Sequence, residues 1–108
     1  MSLFQHIDVD QAKKYLESGA VVFLDIRDEM SRKGGFIDPS IHLNDETSET
    51  FLTSSEKDRP VVVYCYHGNS SQMAAQYLVE NGFSEVYSMD GGFEAWASRY
   101  SFKTGSGS

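Results

Sequence analysis

Cysteine is the scarcest reactive residue in this chain: Cys65 is the only one. A lone cysteine cannot close an internal disulfide, and its use fits a reducing compartment. It also speaks against a structural zinc site, which combines several Cys and His ligands. The histidines His6, His42 and His67 fall at no ligand spacing, so no metal is expected. Positive charge is short as well. Nine Lys and Arg face 16 Asp and Glu, for a formal charge of -7. Such a surface repels phosphate backbones, and nucleic acid is not an expected partner. An anionic substrate is opposed at long range too, so it would need a local site that overrides the net field. Long apolar runs are missing: none approaches the roughly 20 residues of a membrane helix. Residues 1–6 carry no basic patch followed by an apolar block, so no signal peptide is expected. These shortages predict a cytoplasmic protein without a membrane partner.

The 108 residues suffice for one domain and leave no room for two cores. Residues 8–18 predict a helix. Asp8 suits its N-cap, and Gln11 stands three residues on, as in a capping box. Val9, Ala12, Tyr15 and Leu16 make one helical stripe. Val21-Val22-Phe23-Leu24-Asp25-Ile26 is a nearly continuous apolar run and reads as a buried strand. Residues 27–40, with Gly34, Gly35 and Pro39, read mainly as a loop. Ile41-His42-Leu43 reads as a very short strand, and Phe51 and Leu52 as the anchor of a short helix. Pro60-Val61-Val62-Val63-Tyr64-Cys65 is a second buried strand, opened by a proline. Ser70 or Ser71 is expected to cap the next helix, which runs to Asn81 before Gly82. Val86-Tyr87-Ser88-Met89 gives a third strand, and residues 93–99 a last helix. Buried strands alternating with helices predict an α/β fold, a parallel sheet flanked by helices on both faces. The domain is expected to span residues 1–104, with Gly105-Ser106-Gly107-Ser108 a flexible tail.

The chemistry concentrates at one junction: a buried strand, Cys65, a compact loop, then a helix start. Ligands of open α/β sheets bind beyond the carboxyl ends of the strands, where Cys65 sits. Free N–H groups and the helix dipole at such a junction favour an anion. They also lower the pKa of a thiol. An inert, buried strand cysteine is the competing reading; the turn-rich Gly68-Asn69-Ser70-Ser71 after Cys65 favours the functional one. Cysteine phosphatases share this junction but place an Arg in the pattern C-x5-R to clamp phosphate bidentately. Here that position is Ser71, which argues against phosphoryl chemistry. An oxyanion carrying a transferable sulfur stays compatible with hydroxyls and backbone donors.

Cys65-Tyr66-His67-Gly68-Asn69-Ser70-Ser71, followed by Ala74-Ala75-Gln76-Tyr77-Leu78, resembles the active-site loop and helix of single-domain rhodaneses. Asp90-Gly91-Gly92-Phe93-Glu94-Ala95-Trp96 resembles that family's C-terminal signature, and Asp25-Ile26-Arg27-Asp28 its N-terminal one. Gly35-Phe36-Ile37-Asp38-Pro39-Ser40 departs from the family's Gly-His-Ile-Pro-Gly-Ala-like segment. The resemblance implies a rhodanese-like fold and transfer of sulfur by double displacement. The Cys65 thiolate would take the outer sulfur of thiosulfate, a small anionic donor, as a persulfide. A thiophilic acceptor, such as cyanide or reduced thioredoxin, would then remove it. The loop from Tyr66 through His67, Gly68, Asn69 and Ser70 to Ser71 would bind the substrate, largely with its amides. No cofactor is implied. A second reading is a persulfide carrier module loaded and unloaded by protein partners.

The remaining candidates carry two readings each. His67 is a proton donor or anion contact, or, preferably, a solvent-facing loop residue. Arg27 either adds positive field to the pocket as a substrate-binding residue or pairs with Asp25 or Asp28. Asp25 reads as a hydrogen-bond acceptor that fixes a loop. Phe93 and Trp96 read as core, and Glu94 as a solvated surface residue.

Overall fold

The computed structural model describes residues 3–105. Ten elements follow in order: β1 (Gln5–Ile7), α1 (Val9–Ser18), β2 (Val22–Asp25), α2 (Glu29–Gly34), β3 (Ile41–His42), α3 (Ser48–Ser54), β4 (Val61–Tyr64), α4 (Ser70–Glu80), β5 (Val86–Met89) and α5 (Gly92–Ala97). The five strands form one sheet in the order β1-β5-β4-β2-β3. Every neighbouring pair is parallel.

Alternation along β4 explains how the sheet is covered. Val62 and Tyr64 face one core with Phe23, Met89, Ala12 and Trp96, and so with α1 and α5. Val61 and Val63 face the other, with Leu24, Phe51, Ala75 and Leu78, and so with α3 and α4. Successive side chains of a strand point to opposite faces, so a strand covered on both must be apolar at every position. All four residues of β4 are buried. The flanking of the sheet on both faces agrees with the sequence.

Local signals account for several boundaries. The capping box at α1 is complete: Asp8 accepts from the Gln11 amide at 2.8 Å, and the Gln11 side chain accepts from the Asp8 amide at 3.2 Å. Two elements escape the sequence reading. β1 is a strand where none was expected; it pairs with β5 through Gln5↔Tyr87, His6↔Ser88 and Ile7↔Met89. Residues 29–34 form α2 where a loop was expected, with Asp28 accepting from the Ser31 amide at 2.7 Å.

A third expectation changes for a reason that bears on function. No side chain caps α4 by hydrogen bond, and Asn69, not a serine, holds the N-cap position. The Ser71 hydroxyl turns instead to Ser88 of β5, 2.8 Å away. At the other end of the chain, Phe36 and Lys103 bridge, and the Gly105 amide donates to the Lys33 carbonyl at 2.8 Å. The expected tail is therefore tied down at Gly105; its remaining residues, 106–108, lie outside the described residues.

Candidate active site

Cys65 follows the last residue of β4, the central strand, at the carboxyl edge of the sheet. Its residue is 6% exposed, so the sulfur lies at the bottom of its loop. Two backbone donors reach Sγ: the Gly68 amide at 3.1 Å and the Ser71 amide at 3.3 Å. Ser71 is the second residue of α4, whose amide has no acceptor within the helix. The sulfur thus takes the place that a capping side chain would occupy.

The loop can turn this tightly because Gly68 adopts φ +95, and a Cβ there would fall 2.8 Å from the Gly91 nitrogen. Only glycine tolerates both the conformation and the contact. Burial raises the pKa of the Cys65 thiol. The Ser71 hydroxyl and amide, with the Gly68 and His67 amides, outweigh burial and hold it below the ordinary thiol value. The Ser71 hydroxyl is held in place by its 2.8 Å hydrogen bond with the Ser88 hydroxyl.

The loop is braced from behind. The Phe93 amide donates to the Cys65 carbonyl at 2.7 Å, and the Glu94 amide to the Tyr66 carbonyl at 3.0 Å. The Gln72 side chain donates to the Gly68 carbonyl at 3.0 Å. These contacts occupy loop carbonyls with donors from outside the loop, so negative dipoles do not compete at the sulfur.

The expected site residues divide into two groups. The Gly68 and Ser71 amides converge on the Cys65 sulfur, and the His67 amide adds to the lowering of its pKa. The side chains of Tyr66, Asn69 and Ser70 stand exposed on the rim. The His67 ring is exposed and stacks edge-on against Tyr66; its Nδ1 lies 3.3 Å from a Glu94 carboxylate oxygen. That partner was not anticipated for either residue. A second exposed pair, His6 Nδ1 and Asp90 Oδ1 at 2.7 Å, joins β1 to the turn before α5.

Arg27 departs from the pocket reading. Its guanidinium donates to both Asp25 oxygens, Nε to Oδ1 at 3.0 Å and Nη2 to Oδ2 at 2.8 Å, and Nη2 also reaches the Gly35 carbonyl at 2.6 Å. It lies over the Phe93 ring, 4.3 Å from the centroid. Its donors are committed to a buried carboxylate and a carbonyl rather than presented to an anion. The position that carries Arg in C-x5-R loops is here the fully buried Ser71. Among the described residues, no cluster of three or more His, Cys, Asp or Glu side chains could hold a metal, and no helix is long and apolar enough to cross a membrane.

A parallel sheet with a thiol held by backbone amides beyond its central strand defines a class of cysteine-loop α/β domains. Within it, the rhodanese-like domain family matches residues 8–99, and the chain belongs to that family. It is 51% identical over 96 residues to the thiosulfate sulfurtransferase GlpE of Shewanella oneidensis, covering 89% of this chain and 95% of the relative. The protein of the same name from Ectopseudomonas mendocina is 49% identical over 108 residues, covering 100% of this chain and 98% of the relative. Among solved structures, a rhodanese-like domain protein from Staphylococcus aureus superposes with a TM-score of 0.81 at 27% identity, covering 95% of this chain and 100% of that one.

Proposed function

We propose that this protein is a thiosulfate sulfurtransferase that works through a Cys65 persulfide. The observation that carries the reading is the pair of amide hydrogen bonds, from Gly68 and Ser71, that end on Sγ. They favour a thiolate, which is the nucleophilic form of cysteine. The names of the GlpE relatives support thiosulfate as the donor.

In the first half-reaction the Cys65 thiolate attacks the outer sulfur of thiosulfate. An S–S bond forms to Sγ, the bond to the sulfonate sulfur breaks, and sulfite leaves with that electron pair. No proton is transferred, so no general base is required. The loop amides hold the substrate oxygens as charge shifts toward sulfite. In the second half-reaction cyanide attacks the terminal sulfur, thiocyanate leaves, and Cys65 returns as thiolate. With a dithiol acceptor, one thiolate takes the sulfur as its own persulfide, and its second thiol releases hydrosulfide by closing a disulfide. Phosphoryl transfer has no support, because Ser71 supplies no bidentate cation.

Intact mass spectrometry tests the reading. Thiosulfate should add one sulfur to the chain, cyanide should remove it, and Cys65→Ser should abolish both adduct and turnover. Turnover retained in Cys65→Ser would sink the proposal. A persulfide carrier module would instead load poorly from thiosulfate and efficiently from a protein persulfide donor.

A further inference from the structure

The backs of the Cys65 loop and of α5 fit together more closely than packing requires. Gly92 adopts φ +59, and a Cβ on it would fall 2.5 Å from the Cys65 and Tyr66 carbonyl oxygens. Those two carbonyls are the ones that accept from the Phe93 and Glu94 amides, at 2.7 and 3.0 Å. A trans peptide is planar, and its C=O and N–H point in opposite directions. Fixing the Cys65 carbonyl therefore fixes the Tyr66 N–H, and fixing the Tyr66 carbonyl fixes the His67 N–H. Both N–H groups are thereby turned away from α5. The next amide along, that of Gly68, donates to Sγ at 3.1 Å, and the His67 N–H adds to the lowering of the Cys65 pKa.

We propose that Gly92 and the first amides of α5 are positioning groups for sulfur transfer: they anchor the Cys65 and Tyr66 carbonyls and so set the course of the loop that brings the Gly68 amide to the reacting sulfur. The inference rests on Cys65 being the nucleophile. It gives the Gly91-Gly92-Phe93-Glu94 segment a task that core packing alone does not. Phe93 and Trp96 fill the core with their side chains, while the backbone of the same turn faces the loop. Neither Gly92 nor Glu94 needs to touch substrate. A side chain at 92 would push the two peptide planes out of line without entering the pocket. The exposed His67–Glu94 contact, 3.3 Å long, ties the same two segments together from the solvent side.

The test is the pH profile of Cys65 alkylation by iodoacetamide, because Cys65 is the only cysteine. In folded Gly92→Ala the midpoint should rise by about one pH unit, with alkylation near neutrality roughly tenfold slower. Persulfide formation from thiosulfate should slow in parallel. A folded Gly92→Ala with the wild-type midpoint and wild-type persulfide formation overturns the proposal. Should Gly92→Ala fail to fold, a backbone ester replaces the Glu94 amide, removing one N–H and no side chain. Ligation of synthetic residues 65–108 at Cys65 itself makes this chain accessible. The ester should also raise the midpoint, and an unchanged midpoint overturns the proposal. Cys65→Ser assayed alongside separates the two claims: turnover there defeats the nucleophile reading, whereas the alkylation midpoint bears on the brace alone.

Discussion

Two charged sites stand side by side at the carboxyl edge of the sheet, and they are built in opposite ways. Asp25 ends β2 and pairs in register with Tyr64, the residue before Cys65. Asp25 is fully buried and is met chiefly by side chains, Arg27, Arg32 at 3.1 Å and the Tyr64 hydroxyl at 2.9 Å, with the Arg27 amide at 2.9 Å beside them. Among the described residues, Cys65 Sγ accepts from the backbone amides of Gly68 and Ser71 and from no Lys or Arg side chain. Side-chain cations neutralise the anion they surround and fill the space around it. Backbone amides contribute no volume at the sulfur and no net charge, so the anion they hold can exchange. The neighbouring strand ends therefore give one permanent ion cluster and, on the proposed function, one reusable anion site.

Burial raises Asp25, but its bonds to Arg27, the Arg27 charge and Tyr64 hold its pKa below the usual carboxylate range. Tyr64 in turn is pushed up to about 12 by burial and by the Asp25 charge. The cluster is a locked structural unit at neutral pH. Burial of ions costs free energy that mutual pairing offsets only while each partner is present.

The comparison breaks most sharply at Cys65. Cys65→Ser should abolish sulfur transfer while leaving the thermal midpoint measured in mild acid nearly unchanged, checked by thiocyanate formation and thermal melting. Asp25→Ala should do the reverse. It strands two buried guanidinium groups, and urea unfolding should report a loss of about 3–5 kcal/mol. A stable Asp25→Ala protein with low activity would show that the cluster acts on the site rather than on the fold.

A smaller effect comes from Ser71→Ala. It removes one group that lowers the Cys65 pKa and leaves the buried Ser88 hydroxyl without its partner. The expected results are a higher alkylation midpoint and a stability loss of about 1–3 kcal/mol by urea unfolding.

Linkage separates the two sites along the pH axis. The folded pKa of Cys65 is depressed, so its contribution to stability is fully present above the unfolded thiol's pKa. That contribution is lost as pH falls through the folded value. Asp25 follows the same sign one range lower, losing its contribution as pH falls through its own depressed value. Urea midpoints of wild type and Cys65→Ser should thus diverge as pH rises toward the thiol range and coincide in mild acid. The smallest effect is expected for His67→Ala. Its amide remains and only an exposed ring is lost, so thiosulfate turnover should change by less than about threefold.

How much of this was legible in the sequence follows from where the forces act. β4 and β5 were readable because burial on both faces demands continuous apolar residues. β1 was not, because Gln5 and His6 are exposed and the strand exists through pairing with β5. α2 has no apolar stripe: Met30 is exposed, and its buried residue is Arg32, held by Asp25 from another element. Cys65 and its amide donors were legible because a strand-loop-helix junction dictates them locally. The destination of the Ser71 hydroxyl, the Glu94 partner of His67 and the brace from α5 all depend on residues distant in sequence. The family resemblance located the Gly91-Gly92 segment but gave no reason for it.

The sulfur's place at the start of α4 has a consequence for the catalytic cycle. The proposed loading of Cys65 would lengthen the side chain by one S–S bond, about 2 Å. The negative charge then sits on the outer sulfur, farther from the Ser71 and Gly68 amides that held the thiolate. In the proposed cycle the charge would therefore leave the Gly68 and Ser71 amides at the base of the loop on loading and return to them on unloading. On that proposal the empty and loaded proteins would be two differently polarised forms of one fold, alternated by the passing of a single atom.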